Sequence, residues 1–584
     1  MTFLMLSDFE LGAWRVRPQL NSISWDAHTI RVEPKMMQVL VFLAQHPGEV
    51  VSKERLVQEV WRDTFVTDDV LVRCVSELRK AFGDKPGQSA VIETIPKKGY
   101  RLLLPVAMVS RRDRPPDWLR PGKGDSIAVL PFENAGPDPE MEYLSEGVAE
   151  TIINSLSRLQ NLRVVPRTTT FQYKRKLQDP VQVGRELGAR LVLTGHVGRR
   201  GDRLMMGAEL IDTTQESQLW GQTYDRKMDE IFAIQEEIAG KISNYLQLRL
   251  TDIEKEQVTR RFTESREAYC LYLKAMYFAH KWTPEGFRKG LDYCRQAIDA
   301  DPVYANAYAA LSYLYSLMGA FDVVPALESF PRAKAAALKA LEIDDGLSYA
   351  HAVLGFVKLA HDWDFQSANA ECCRAIELGP HMPGGHYAYS DLLLATSQNK
   401  QAIEEAKYAL KLDPLSLPDN YHLGAVYYFT HEYDAAVAQL QKTSELDPSF
   451  VFAHSLLAIV YAIKGMSQEA KAEAQRARLL SDGPYTRITL GRVSAIMGNQ
   501  AEAREILTEI EQVSKPPYFS RAFWCAMIHA LLGEPDQAFE WLDKACGARE
   551  PALIYLRQAP SFESLHGDPR FHDLLRRIGI PSCA

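Results

Sequence analysis

Along residues 3–32 apolar and polar positions alternate in short runs, FELGAWRV and SISWDAHTIRV, with turn-forming RPQLN and WDAH between. A period of two predicts a small antiparallel sheet. The period then lengthens. In KMMQVLVFLAQH, Met36, Met37, Leu40, Val41 and Leu43 recur at helical spacing, and Pro47-Gly48 ends the helix. Ser52 is placed to cap a second helix with Glu54 in its first turn. A third helix is expected from Thr67, with Asp68 and Asp69 near its N-terminus. Its apolar face is Val70, Leu71, Cys74, Val75, Leu78 and Phe82; Asp69, Val72, Arg73, Ser76, Arg79 and Lys80 lie on the other. After GDKPG, VIETIPKKGYRLLLPV reads as a β-hairpin with a basic tip. Sheet, three helices and hairpin make a winged helix-turn-helix over 1–105.

Residues 106–125, VAMVSRRDRPPDWLRPGKGD, are Pro-rich and charged, and are expected to be a linker. Residues 126–250 mix strand and helix patterns. SIAVLPF and LRVVPRT read as strands, and EYLSEGVAETIINSLSRL and VQVGRELG as helices. ARLVLTGHVGRRGDRLMMGAELIDT reads as two strands around RRGDR, and DEIFAIQEEIAGKISNYLQLRL as a closing helix. The order predicts an α/β sheet covered by helices. Arg167, Thr168, Thr169 and Thr170 follow a strand, where such sheets can open a ligand crevice. The plainer reading of the same residues is a strand-to-helix turn, and His196 reads as structural.

The C-terminal half repeats. AIDADP ends at Pro302, AIELGP at Pro380, ALKLDP at Pro414 and TSELDP at Pro448; LEIDD, ending at Asp345, and LLSDGP, ending at Pro484, hold equivalent places. A step near 34 residues with a helix-ending Asp-Pro is the tetratricopeptide pattern, whose helix pairs bury their apolar faces only by stacking. About eight pairs are expected over 265–551, with a terminal cap over 552–584, giving an all-α solenoid. On the first helix of the repeat at 417–448, Tyr421, Ala425 and Tyr428 are placed to line a peptide groove, or to pack between helices.

Three motifs in the first domain, VVSKERLVQEVW, VRCVSELRKAFGD and IETIPKKGYRL, resemble the winged-helix domain of OmpR/PhoB-type regulators in its CadC/ToxR-like variant. The resemblance implies a third helix in the DNA major groove and a hairpin tip at the adjacent minor groove. On that basis Val72, Arg73 and Ser76 approach bases, while Arg79 and Lys80 meet phosphate. Lys97, Lys98 and Arg101 meet phosphate or a groove, Gly99 allows the turn, and Tyr100 braces the wing. VLPFENAG, YLSEGVAETIINSLSR, LRVVPRTTTFQYK and GRELGARLVLTGHV resemble the TolB N-terminal-like module, which implies no reaction.

Charge sharpens this picture. The chain carries a net charge of −8, yet residues 73–101 hold seven Lys and Arg against three Asp and Glu. Local positive charge suits a polyanion. The eight cysteines form no CxxC pair, which argues against zinc ribbons and disulfide frameworks. His351, His361, His381 and His386 cluster in sequence without metal-ligand spacing. No phosphate-binding, nucleophile-elbow or zincin motif occurs. The expectation is a cytoplasmic, one-component, sequence-specific DNA-binding regulator of bacterial type, with neither receiver nor membrane span. It is expected to be no enzyme and to need no cofactor or metal. Its partners would be double-stranded DNA, a protein or peptide held by the repeats, and a second copy in a homodimer. The alternative is an interaction scaffold whose winged helix binds protein.

Overall fold

The computed structural model describes residues 9–12, 14–18, 22–25, 28–61, 68–82, 91–96, 98–108, 125–136, 141–157, 159, 162–174, 179–227, 230–245, 263–321, 323–512 and 521–580. The chain divides into two compact units, Met1–Arg120 and Pro121–Ala584.

The first unit begins with strands β1 (Phe9–Leu11), β2 (Trp14–Arg17), β3 (Ser22–Trp25) and β4 (His28–Arg31). Helix α1 (Pro34–Ala44), strand β5 (Val50–Val51), and helices α2 (Lys53–Val60) and α3 (Asp68–Ala81) follow. The hairpin is β6 (Ile92–Ile95) and β7 (Gly99–Leu102), and β8 (Val106–Met108) comes last. One sheet has the order β4-β3-β2-β1-β8, the other β5-β7-β6. Residues 106–108, expected to open the linker, instead complete the first sheet, with Val106 opposite Leu11. The outer edge of β1 leaves backbone groups to pair, and an apolar Val-Ala-Met triplet supplies the partner. Residues 109–124 of the expected linker, and Thr67, lie outside the described residues, while Asp125, its last residue, instead begins a strand of the second unit. The core between sheet and helices holds Phe9, Leu11, Val16, Met37, Leu40, Leu43, Leu56, Val60, Leu71, Val75 and Leu78, with Tyr100 and Leu102 from the hairpin. Ser52 caps α2 as its sequence position requires: its Oγ accepts from the Arg55 amide at 3.2 Å.

The second unit opens with β9 (Asp125–Val129), β10 (Glu133–Asn134), α4 (Glu142–Leu156), β11 (Leu162–Val164), α5 (Arg167–Phe171) and α6 (Pro180–Glu186). Three long strands follow, β12 (Leu191–Arg200), β13 (Arg203–Asp212) and β14 (Ser217–Lys227), and then α7 (Ile231–Tyr245). Strands run in the order β11-β9-β12-β13-β14, parallel on the first side of β12 and antiparallel on the other. Strand β14 was not foreseen. It is an edge strand, and Tyr224 is its one fully buried residue, so its sequence carries almost no period-two apolar signal.

Arg167–Thr170 form the first turns of α5 rather than the rim of a crevice. The Arg167 guanidinium lies 2.9 Å from both Glu146 and Glu150, and Lys174 pairs with Glu142 and Glu146. The three glutamates sit four residues apart on α4, one stripe facing two cations.

The solenoid consists, among the described residues, of eight helix pairs: α8 (Arg266–Ala279) with α9 (Pro284–Ala300), α10 (Ala305–Ala320) with α11 (Ala326–Ile343), α12 (Ser348–Val357) with α13 (Phe365–Leu378), α14 (Pro383–Ala395) with α15 (Asn399–Leu412), α16 (Leu417–Phe429) with α17 (Tyr433–Leu446), α18 (Val451–Ile463) with α19 (Ser467–Leu480), α20 (Pro484–Ile496) with α21 (Gln500–Gln512), and α22 (Arg521–Leu531) with α23 (Pro535–Gly547). Two 3-10 turns and α24 (Pro569–Arg577) close the chain. The repeated Asp positions act as stops. Asp301 and Asp447 each leave the helix in an extended conformation, which suits the proline that follows.

The first repeat grows directly out of the α/β module. A Cβ at Gly147 of α4 would stand 2.5 Å from Leu273 Cδ1 of α8, so glycine admits that leucine to the module's core. Tyr269 of α8 is held there by Gln235 and Thr151, at 2.6 and 2.8 Å.

Histidines join the helices within successive pairs. His351 lies between the Glu371 carboxylate and the Asp345 carbonyl, at 2.6 and 3.1 Å. His386 lies between Glu405 and the Pro380 carbonyl, at 2.7 and 3.2 Å, and His454 between Glu473 and the Pro448 carbonyl, at 2.6 and 3.0 Å. In the intervening repeat Asn420 and Gln439 hold the same places: Asn420 donates to the Pro414 carbonyl, and Gln439 donates to Asn420 Oδ1. His361 stacks on Phe330 instead.

The solenoid curls tightly. Helices two pairs apart meet across its inner side: Arg492 Nη2 of α20 donates to the Tyr428 hydroxyl of α16 at 2.7 Å. The C-terminal turns fold back onto the same region, where Tyr555 stacks on Phe429 and its hydroxyl donates to Asp391 at 2.8 Å. This removes Tyr428 from the expected groove. Tyr428 is 1% exposed and sealed beneath Arg492, because the curvature brings first helices together at this repeat. Tyr421 and Ala425 are half-buried.

Candidate nucleic-acid interface

Helix α3 packs Leu71, Val75 and Leu78 inward. That fixes what faces solvent on the other side of a 3.6-residue period. Val72, 46% exposed, stands beside exposed Arg73 and Ser76, so the three residues expected to approach bases form one outward patch. Burial and Glu33 push the Cys74 thiol up, so it serves α3 as a neutral packing group.

The hairpin lies alongside in a fixed register. Thr94 pairs with Tyr100 and Glu93 with Arg101 across β6 and β7, while Val51 of β5 pairs with Tyr100. The Lys98 amide donates to the Ile95 carbonyl at 3.0 Å to close the turn, and the Lys98 side chain is exposed. Gly99 does more than permit the turn. Its φ is +143°, and a Cβ there would lie 2.0 Å from the Val51 carbonyl oxygen, so only glycine lets β7 pass against β5. Lys97 lies outside the described residues.

The cations expected at the interface divide into two groups. Arg73 and Lys98 are exposed and have no ion-pair partner among the described residues. The others are engaged within the domain. Arg79 donates from Nε and Nη2 to the Ile92 carbonyl, at 2.9 and 2.7 Å, and from Nη2 to Thr94 Oγ1 at 2.8 Å. Arg101 places Nε and Nη2 3.0 and 2.6 Å from Glu93 Oε2. Lys80 pairs with Glu77 at 2.6 Å, both side chains being well exposed. Arg79, expected to meet phosphate, instead turns its donors to a clasp between α3 and the hairpin, because its Nη2 finds two acceptors on β6. Tyr100, 3% exposed, belongs to the core beneath the hairpin, the bracing place expected of it, and leaves almost no surface for a duplex. The clasp was not legible beforehand: sequence gives the charge of Arg79, not the register that brings the Ile92 carbonyl to it.

Residues 27–102 match the family model described as transcriptional regulatory protein, C terminal, and residues 123–241 match that described as the second domain of HilA/YgeH-like transcriptional regulators. The middle module is thus matched under that description. The chain is 38% identical over 189 residues to a Rhizobium meliloti protein provisionally named adenylate cyclase 3, covering 32% of each chain. It is 25% identical over 389 residues to transcriptional regulator HilA of Salmonella typhimurium, covering 66% of this chain and 67% of that one. It is 41% identical over 166 residues to transcriptional activator CadC of Escherichia coli, covering 28% and 29%. The match thus spans about a third of the first and last of these relatives and two thirds of HilA.

Proposed function

We propose that this chain, with its OmpR/PhoB-type winged helix, HilA/YgeH-like second domain and tetratricopeptide-like repeats, is a sequence-specific DNA-binding regulator of transcription. The supporting observation is the outward patch of Val72, Arg73 and Ser76 on α3, beside a hairpin whose turn carries Lys98. A helix in the major groove can read base edges with that patch, while the hairpin tip reaches the adjacent minor groove or its phosphates. Among the described residues no helix is long and apolar enough to cross a membrane. In this reading the winged helix works in the cytoplasm, where the DNA is. The repeats dock a protein or peptide partner, or a second copy of the chain, on a face away from Tyr428. The reading requires no reaction and no cofactor.

Retention on duplex DNA tests it. The full chain should bind a duplex at low salt and release it as salt rises. Lys98→Ala should lower the slope of log affinity against log salt by about 0.9, and Arg73→Ala should relax the preference for particular bases. Binding that is absent, or indifferent to salt, would favour a scaffold whose winged helix meets protein.

A further inference from the structure

Arg79 carries an inference that rests on the DNA-binding reading and deepens it. Beside the apolar packing of Leu71, Val75 and Leu78 in the core that Ile92 shares, its guanidinium makes a hydrogen-bonded link from α3 to the outer hairpin strand β6. Three donations reach two acceptors there, the Ile92 carbonyl and Thr94 Oγ1. Thr94 lies directly across from Tyr100, which is buried in the domain core and paired with Val51 of β5. The hairpin is thereby held on two sides: β7 against β5 through Gly99 and Tyr100, and β6 against α3 through Arg79. Neither acceptor carries charge, so the contact is directional rather than a neutralising ion pair. A planar guanidinium suits it because its donors leave in fixed directions. Lysine has no such fork.

We propose that Arg79 is a positioning residue: it fixes the distance between the reading helix and the wing, so that both meet a duplex in one register. Specificity then depends on Arg79 without Arg79 touching DNA. On a preferred sequence, helix and wing must fit together, and a loosened wing loses contacts there. On an arbitrary sequence, affinity comes from phosphates that either element can meet separately.

The test uses the full chain and two 30-base-pair duplexes, one bearing the motif that the wild type enriches from a randomised pool, the other a scramble of it. Arg79→Met should weaken binding to the motif duplex about tenfold, bind the scramble as the wild type does, and leave the salt slope unchanged. Arg79→Lys should fall between, and Thr94→Val, which removes one acceptor, should shift binding in the same direction. A salt slope lowered by about 0.9 in Arg79→Met would make Arg79 a phosphate ligand and overturn the proposal. So would equal loss on both duplexes. Amide hydrogen exchange in the free protein gives a DNA-independent arm. In Arg79→Met, exchange should quicken at Ile95 and Lys98 and stay unchanged at Leu71 and Val75. Unchanged exchange at the hairpin would show that nothing was clasped, even if the wild type binds DNA. A wild type that binds neither duplex, with the hairpin still clasped, would instead sink the DNA-binding reading and the proposed role with it.

Discussion

At the scale of single residues, the interface shows how much a side chain's role depends on its neighbours. Sequence placed Arg73, Arg79, Lys80, Lys98 and Arg101 in one positive cluster. The fold leaves Arg73 and Lys98 exposed and turns Arg79 and Arg101 to acceptors on their own domain. Helical period was enough to place Val72, Arg73 and Ser76 outward, because only the opposite face can fill the core. Partner choice depends on strand register across β6 and β7, which period does not encode. Gly99 is the residue where backbone geometry decides most. Gly99→Ala forces a Cβ onto the Val51 carbonyl at a φ that L-residues rarely adopt. It should destabilise the first unit by at least about 2 kcal/mol, read as a lowered first transition in thermal melting. A melt like that of the wild type would mean that β7 can shift away from β5.

At the scale of elements, the solenoid was the most legible part, because its Asp-Pro stops and apolar spacing repeat and each copy supports the others. What the repeat did not disclose was its curvature. Curling is a sum of small rotations per pair, and it seals Tyr428, which one isolated repeat would leave open. The histidine bridges are likewise a property of pairs. His454→Ala leaves the buried end of Glu473 and the Pro448 carbonyl without their partner, and should cost about 1–3 kcal/mol in denaturant unfolding. The double change His454→Asn with Glu473→Gln copies Asn420 and Gln439 and should cost less than about 1 kcal/mol. Equal losses would show that the bridge matters only as filled volume. Where α5 meets the loop before α16, Thr169 Oγ1 donates to Asp413 Oδ1 at 2.6 Å. Burial there, with Asp419 nearby, pushes the Asp413 carboxyl up to about 7. The unfolded carboxyl titrates near 4 (~3.9). Between these values the folded chain keeps a proton that the unfolded chain has released. Stability from this site is therefore fully present below about 4 and drains away as pH rises to about 7. Asp413→Asn should stabilise the second unit by roughly 2–4 kcal/mol at pH 8 and by almost nothing at pH 4. A gain that does not change with pH would mean that Asp413 is ionised throughout.

At the scale of the whole molecule, the two units divide the work by chemistry. The first gathers positive charge on a small domain inside an acidic chain. The second shares one core between its α/β module and first repeat, through Gly147, Leu273 and Tyr269. The first repeat and the module are therefore packed as one body. If the repeats dock a second copy, the homodimer would join two DNA-binding domains and raise affinity through effective concentration, and light scattering with and without duplex would then find a species of twice the chain mass; a single chain mass in both would leave a different protein or peptide as the partner. Regulation by this chain requires that α3 read bases through Val72, Arg73 and Ser76. The most direct measurement is selection of duplexes from a randomised pool by the full chain, run beside a variant carrying Arg73→Ala and Ser76→Ala. The wild type should enrich one motif, and the variant should still hold DNA but lose or change the preferred bases at particular positions. The same motif from both proteins, or none from either, would contradict it.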